Sequence, residues 1–168
     1  VGSGNPKVVL GLNTTLSYKN FDLIANFYGH FGVKRYNGME RQIMKMDGNF
    51  NYGKDALKSW RPDNKSSSIP RAVVGDPNQN TRISDRYVEN GDFLRLNNLQ
   101  IGYTLPKEVC QKINIDNLRL FVGGSRLFTI TSYSGYDPAT GSGAGSMGVD
   151  GAVYPLSRSF TFGFNLGF

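Results

Sequence analysis

Residues 47–55, DGNFNYGKD, set Asp47, Asn49, Asn51 and Asp55 at the first, third, fifth and ninth positions of a calcium-binding loop. Such a loop needs Gly at position six for its sharp turn and a bidentate Glu at position twelve. Here those positions hold Tyr52 and Lys58, so the closing ligand is missing. GSGAGSMG, 141–148, is rich in glycine, but no Lys follows it to meet a phosphate. His30 is the sole histidine, with no second His or Cys near it in sequence. Cys110 is the sole cysteine, which excludes an internal disulfide and a multi-cysteine metal site. Asp85, Glu89 and Asp92 can be drawn as acid–base partners, yet nothing in the sequence fixes their geometry. The expectation is a chain with no catalytic residue, no metal ligand and no cofactor.

Binding chemistry is better represented. Trp60, Tyr133, Tyr136 and Tyr154 fall between the periodic segments, with Arg61 beside the tryptophan. Aromatic faces stack on sugar rings, and the same side chains anchor peptides. The net charge is +6, and Lys34–Lys65 holds eight basic side chains against four acidic ones. A basic surface can meet anionic sugars, lipid head groups or nucleic acid. Ordinary solvated loop charge is the plainer reading here, and no nucleic-acid partner is expected.

The elements that must position these residues are strands. SFTFGFNLGF, 159–168, sets Phe160, Phe162, Phe164, Leu166 and Phe168 on one face and Ser159, Thr161, Gly163, Asn165 and Gly167 on the other. Four further segments alternate in the same way, at about 7–18, 21–33, 92–105 and 117–130. In 92–105 the parity of Leu94 and Leu96 is opposite to that of Leu99, Ile101, Tyr103 and Leu105. A bulge near Asn97–Asn98 would reconcile the two halves. Gly123–Gly124 marks a bend in the fourth segment. The 21 glycines and the 12% aromatic content suit an all-β chain.

The connections alternate between short and long: 19–20, then 34–91, then 106–116, then 131–158. Transmembrane barrels show that rhythm, with tight periplasmic turns and large outer loops. Loops of 58 and 28 residues are foreign to a compact soluble domain. No apolar run reaches 18 residues, so no transmembrane helix is expected, and a barrel would show none. Five strands cannot close a barrel, and open edges in lipid leave peptide groups unpaired. The chain is therefore expected to be a slice of something longer, its Val1-Gly2-Ser3-Gly4 start reading as a cut end.

Across nearly its whole length the sequence resembles the C-terminal part of SusC/RagA-type TonB-dependent outer-membrane transporters of Bacteroidota. The resemblance runs through YKNFDL (18–23), WRPDN (60–64), IPR (69–71), RYVENGDFLRLNNLQIGYTLP (86–106), LRLFVGGSRLFTITSYSGYDP (118–138) and YPLSRSFTFGFNLGF (154–168). One departure is Arg126, where the family usually carries Asn before Leu-Phe-Thr. The resemblance implies that 1–168 is an antiparallel up-and-down transmembrane β-barrel segment, the last five or so strands of a barrel of about 22. It implies two long extracellular loops, 34–91 and 131–158, with the plug domain lying outside this chain. It further implies import of oligosaccharides or peptides, energised by the TonB complex through the absent N-terminal part. A SusD-like surface lipoprotein would be the partner. Trp60, Arg61, Tyr133, Tyr136 and Tyr154 would then contact cargo or lid, and Phe168 would be an insertion signal at the periplasmic rim.

Two rival readings stand beside this one. The first is a soluble all-β glycan-binding module, in which the same alternation closes a sandwich. The second is an outer-membrane barrel enzyme with its site in the loops, against which the single histidine and scattered carboxylates count.

Overall fold

The computed structural model describes residues 2–48, 50–139 and 147–168. The chain divides into two compact units. One comprises Pro6–Gly32, Gly91–Ser132 and Pro155–Phe168. The other comprises Val33–Asn90, 133–154 and the N-terminal residues.

The first unit is one antiparallel sheet of five strands: β1 (Val8–Tyr18), β2 (Phe21–Phe31), β5 (Phe93–Thr104), β6 (Asn117–Thr131) and β8 (Ser159–Gly167), in that spatial order. Cross-strand partners share a face, so the register assigns every side chain. Leu16, Leu23, Ile101, Val122 and Phe162 form one row across the five strands. Tyr18, Phe21, Tyr103, Leu120 and Phe164 form the next. On the opposite face Thr15, Ile24, Gln100, Gly123 and Thr161 align. The row beside it is Asn13, Asn26, Asn98, Ser125 and Ser159. No charged side chain occurs on the first face.

The parity switch in β5 has a structural cause. Asn26 pairs with Asn98 and Phe27 with Leu96, so Asn97 is an extra residue against β2. Against β6, Leu96 pairs with Phe128 and Asn98 with Ser125, so Arg126 and Leu127 oppose the lone Asn97. The two insertions are staggered, and Leu94, Leu96, Phe128 and Ile130 stay on the apolar face. Arg126 takes the left-handed φ of 54°, and its Nε donates to the Ser157 carbonyl at 2.7 Å. Leu127 folds across Gly124, where a Cβ would come within 2.6 Å of its Cδ2.

At the short-turn end, β1 and β2 are joined by Lys19–Asn20 alone, with Lys19 at φ 53°. Asn20 Nδ2 donates to the Thr104 carbonyl at 2.8 Å, which fixes the turn to β5. Between β5 and β6 lies α2 (Lys107–Lys112), entered through Pro106, and its own Cys110 is buried. On the polar face, Arg119 of β6 reaches over Gly102 of β5 to Asp22 of β2, with Nε–Oδ1 at 2.8 Å and Nη2–Oδ2 at 2.5 Å. A Cβ at Gly102 would lie 2.4 Å from both Arg119 Nη2 and Asp22 Oδ1. Only a glycine lets this two-pronged pair span three strands.

The second unit shows that the stretches read as long loops carry secondary structure of their own. β3 (Lys34–Asn37) lies between β4 (Val88–Asn90), antiparallel to it, and β7 (Val149–Asp150), parallel to it. Helix α1 (Gly38–Met44) follows β3, capped by Asn37, whose Oδ1 accepts from Glu40 N at 2.8 Å. Short 3₁₀ turns occupy Lys54–Lys58 and Asp85–Tyr87.

Gly102→Ala is expected to lower the unfolding midpoint of the intact receptor, because the new methyl must displace the ion pair. Gly11→Ala on the same face meets no atom within 4 Å. It is expected to stay within about 0.5 kcal/mol of the parent. The heat-modifiable electrophoretic mobility of the folded barrel reads both; equal midpoints for the two variants would contradict the bridge.

Candidate functional site

The first candidate surface is the five-stranded sheet itself. Its apolar face is uncovered: Phe162 is 90% exposed, Phe160 77%, Leu16 60% and Val122 55%. Ala25 and Leu96 are buried on that face, as are Gly29 and Gly124. A water-soluble sandwich would bury these phenylalanines against a second sheet. Phe168 is exposed as well.

The polar face carries a chain of carboxamides. Asn26 Nδ2 donates to Asn13 Oδ1, Asn97 Nδ2 reaches Asn26 Oδ1 at 3.5 Å, and Ser125 Oγ reaches Asn98 Oδ1 at 3.4 Å. Further along the same face, Tyr28 and His30 share a 2.5 Å hydrogen bond. Both rings lie against buried Phe93, at 5.9 Å and 5.1 Å between centroids. The neighbouring Arg95 donates to Thr129 Oγ1 at 2.8 Å. His30 is thus one member of an aromatic stack.

The second candidate is the small sheet. Its register places Arg35 opposite Glu89 and Asn37 beside Asp150 on one face. That face is the buried one: Asn37, Asp150 and Arg35 are all sequestered from water. Asn37 Nδ2 donates to Glu89 Oε1 at 2.8 Å and to Ser134 Oγ at 3.0 Å. Ser134 N donates to Glu89 Oε2 at 2.9 Å. Tyr133 donates to Asp150 Oδ2 at 2.6 Å, and Ala152 N donates to Asp150 Oδ1. The network binds β3 and β4 to Tyr133, Ser134 and Asp150. Burial first, and then the Asp150 carboxylate, push the Tyr133 phenol well above its ordinary range. Burial, reinforced by Glu89, raises the Glu40 carboxyl.

The opposite face is mixed, with exposed Lys34 and Asn90 paired on it beside an apolar row. Val88, Tyr36 and Val149 form a cross-strand row. With Ile83, Ser84 and Asp85 they line an open cleft of about 500 Å³.

The residues picked from sequence have different fates. Trp60 is half-buried, and its backbone N–H donates to the Ile69 carbonyl at 2.8 Å. It makes no ring contact among the described residues. Arg61 is exposed, 3.7 Å from Asp63, and its guanidinium donates to the Leu57 carbonyl. Tyr136 and Tyr154 are exposed. Tyr133 is buried and committed to Asp150, a structural position. In the calcium-like stretch, Asn49 lies outside the described residues. Asp47 faces Lys45 at 3.8 Å, and Gly48 N donates to the Tyr52 hydroxyl, so Tyr52 shapes the turn. Residues 141–146 of the glycine-rich stretch also lie outside the described residues. Sequence reasoning does not single out Asn37, Ser134 or Asp150, and it offers Glu89 only as an acid–base partner of Asp85 or Asp92, where the structure gives it to Asn37 and Ser134. One signal was available: Asn37 followed three residues later by Glu40 is a helix-start pattern.

No family model matches the chain. It is 33% identical over 175 residues to the TonB-dependent receptor P3 of Formosa agariphila, covering 100% of this chain and 17% of that protein. The chain belongs to the TonB-dependent receptors. It is 24% identical to the TonB-dependent receptor SusC of Bacteroides thetaiotaomicron over 96% of its own length and 15% of SusC. The solved RagAB peptide transporter superposes with a TM-score of 0.81 at 30% identity, covering 94% of this chain and 17% of that one. The closed-closed state of the RagAB peptide importer gives 0.82 at 29% identity, covering 99% and 18%. The chain therefore spans less than a fifth of the receptors it matches. Its sheet is a piece of a TonB-dependent receptor barrel of the SusC/RagA type, and its location is the bacterial outer membrane.

Because Glu40 is raised in the folded unit, its protonated form is favoured there. Its contribution to stability is present at low pH and is lost as pH climbs from its ordinary value of 4.5 through the raised one. Hydrogen exchange of residues 38–44 in the intact receptor is expected to quicken over that window. Glu40→Gln should flatten the dependence and slow exchange at pH 7. An unaltered pH slope in the variant would assign the effect to other groups.

Proposed function

We propose that this chain is the C-terminal wall of an active outer-membrane importer for oligosaccharides or peptides. In this reading TonB energises the receptor through a part that lies outside this chain, and a SusD-like surface lipoprotein works with it. The apolar rows face acyl chains and the carboxamide face lines the passage. Strands β1 and β8, the outer strands of the sheet, pair with strands elsewhere in the receptor. The segments 34–91 and 131–158 are extracellular. Trp60, Arg61, Tyr136 and Tyr154 are available there for cargo or lid, while Tyr133 supports Asp150. Phe168 serves as the terminal aromatic read by the insertion machinery. The work is passage, and no residue of the chain is assigned a catalytic step.

The observation that carries this reading is the charge-free face of exposed Leu, Val, Ile and Phe across all five strands. A patch of that extent is unstable in water and is what a bilayer requires. It also speaks against the soluble glycan-binding module.

Phe162→Arg in the intact receptor is expected to cost about 2–4 kcal/mol at mid-bilayer. The heat-modifiable form in outer membranes, and uptake of labelled cargo with it, should fall severalfold or more. Thr161→Arg, one residue along on the other face, should leave assembly intact. Equal tolerance of both substitutions would contradict the assignment of faces.

A further inference from the structure

Strand β6 outruns its partner. Its pairing with β5 continues to Thr131, but its pairing with β8 ends at Ser125–Ser159. Both neighbours of β6, β5 and β8, lie in this chain, so in an up-and-down barrel no strand from the rest of the receptor enters between β6 and β8. Beside the upper part of β6 the wall has a notch. Phe128 and Ile130 stand on its flank and Phe160 at its foot, all exposed.

Two arginines meet that notch. Arg126 opens the stretch of β6 that runs beyond β8, and Arg158 immediately precedes β8. Arg126 Nε donates to the carbonyl of Ser157, the neighbour of Arg158, at 2.7 Å. That is its sole hydrogen bond among the described residues, so both Nη groups are unspent. Arg158 is exposed and forms no hydrogen bond or ion pair among the described residues. Neither β5, β6 nor the segment 151–168 contains an Asp or Glu to neutralise the pair. Arg126 also holds a left-handed φ of 54°. Asparagine, the usual family residue here, enters that region more readily. An arginine at a position that another residue fills with less strain points to a task for its side chain.

Height and surroundings indicate the task. Leu118 is the first outward residue of β6, and Arg126 lies eight residues beyond it. At about 3.3 Å per residue and a tilt of about 35–45°, that is a rise of roughly 20 Å. The apolar band of such barrels is about 25 Å tall. The two guanidinium groups thus sit where acyl chains give way to head groups, on the side away from the short turns. A guanidinium takes phosphate through paired N–H···O bonds, and Phe128, Ile130 and Phe160 suit acyl chains. A soluble anion gains nothing from those three. Lipid A, in the outer leaflet of a bacterial outer membrane, carries phosphate and acyl chains in one molecule.

We propose that Arg126 and Arg158 form a lipopolysaccharide-binding clasp on the outer wall, holding a lipid A phosphate while its acyl chains fill the notch beside β6. The inference rests on the apolar face meeting lipid, as in the import reading.

The test uses the intact receptor, purified with its lipoprotein in detergent and given either lipid A or lipid A stripped of its phosphates. Native mass spectrometry reads the bound fraction per folded receptor, so a variant that folds less does not mimic lost affinity. Arg126→Asn and Arg158→Gln are each expected to lower lipid A retention severalfold, and the double variant at least tenfold. Phosphate-free lipid A should bind the parent and the double variant alike. Parent-like retention of lipid A by the double variant would overturn the proposal. So would equal retention of the two lipids by the parent, or an Arg126→Asn receptor that unfolds earlier yet keeps its lipid A. If Phe162→Arg assembles as well as Thr161→Arg, the assignment of the apolar face to lipid has failed. If those two differ as expected and the double variant keeps its lipid A, the clasp alone has failed.

Discussion

In lipid a strand can satisfy its peptide groups only by pairing with neighbours, and it can offer acyl chains only every second side chain. Five strands must therefore agree on which parity is outward, residue by residue, along their whole length. A single uncompensated insertion would turn half a strand's leucines toward the polar side. In this sheet Asn97 is such an insertion, and Arg126–Leu127 answers it on the next strand. The left-handed backbone of Arg126 and its bond to the Ser157 carbonyl are the local cost and the local support of that repair. An asparagine enters that conformation more readily than an arginine.

The polar face obeys a different rule. Its groups lose less when left in contact with water, so they need not be tightly packed, and the Asn97–Asn26 and Ser125–Asn98 contacts are long. Shorter contacts occur on the same face at Tyr28–His30 and at the two-pronged Asp22–Arg119 pair, which passes over Gly102. The Asp22–Arg119 pair ties β2 to β6 across β5 near the short turns, where Asn20 also holds the first hairpin to β5. The small-sheet unit is organised by buried polarity. Asn37 caps a helix with one end of its side chain and joins Glu89 and Ser134 with the other. Its other face shows the Val88–Tyr36–Val149 row beside exposed Lys34 and Asn90.

Much of the large sheet was legible because a period of two needs no long-range information. The faces of 159–168, and the switch at Asn97–Asn98, follow from counting along the chain. The exposure of those faces does not follow from alternation, which a sandwich shares. It was the rhythm of short and long links, and the family resemblance, that separated the two. The small sheet was illegible for a physical reason. Its strands have four, three and two residues, too short for periodicity, and they meet across long sequence separations. Its polar residues point inward, so hydropathy reads them as loop. Tyr133 has the composition of a contact residue and the position of a structural one, a distinction only burial and its Asp150 partner reveal.

The most direct measurement of the outward parity is spin-label accessibility in the native outer membrane. The intact receptor would carry Cys110→Ser and, one at a time, Leu12→Cys, Asn13→Cys, Thr161→Cys or Phe162→Cys, each labelled with a nitroxide. Labels at 12 and 162 are expected to collide with membrane-dissolved oxygen and to be shielded from a water-soluble nickel chelate, with the reverse at 13 and 161. Nickel access at 12 and 162, or no difference between neighbours, would contradict the account.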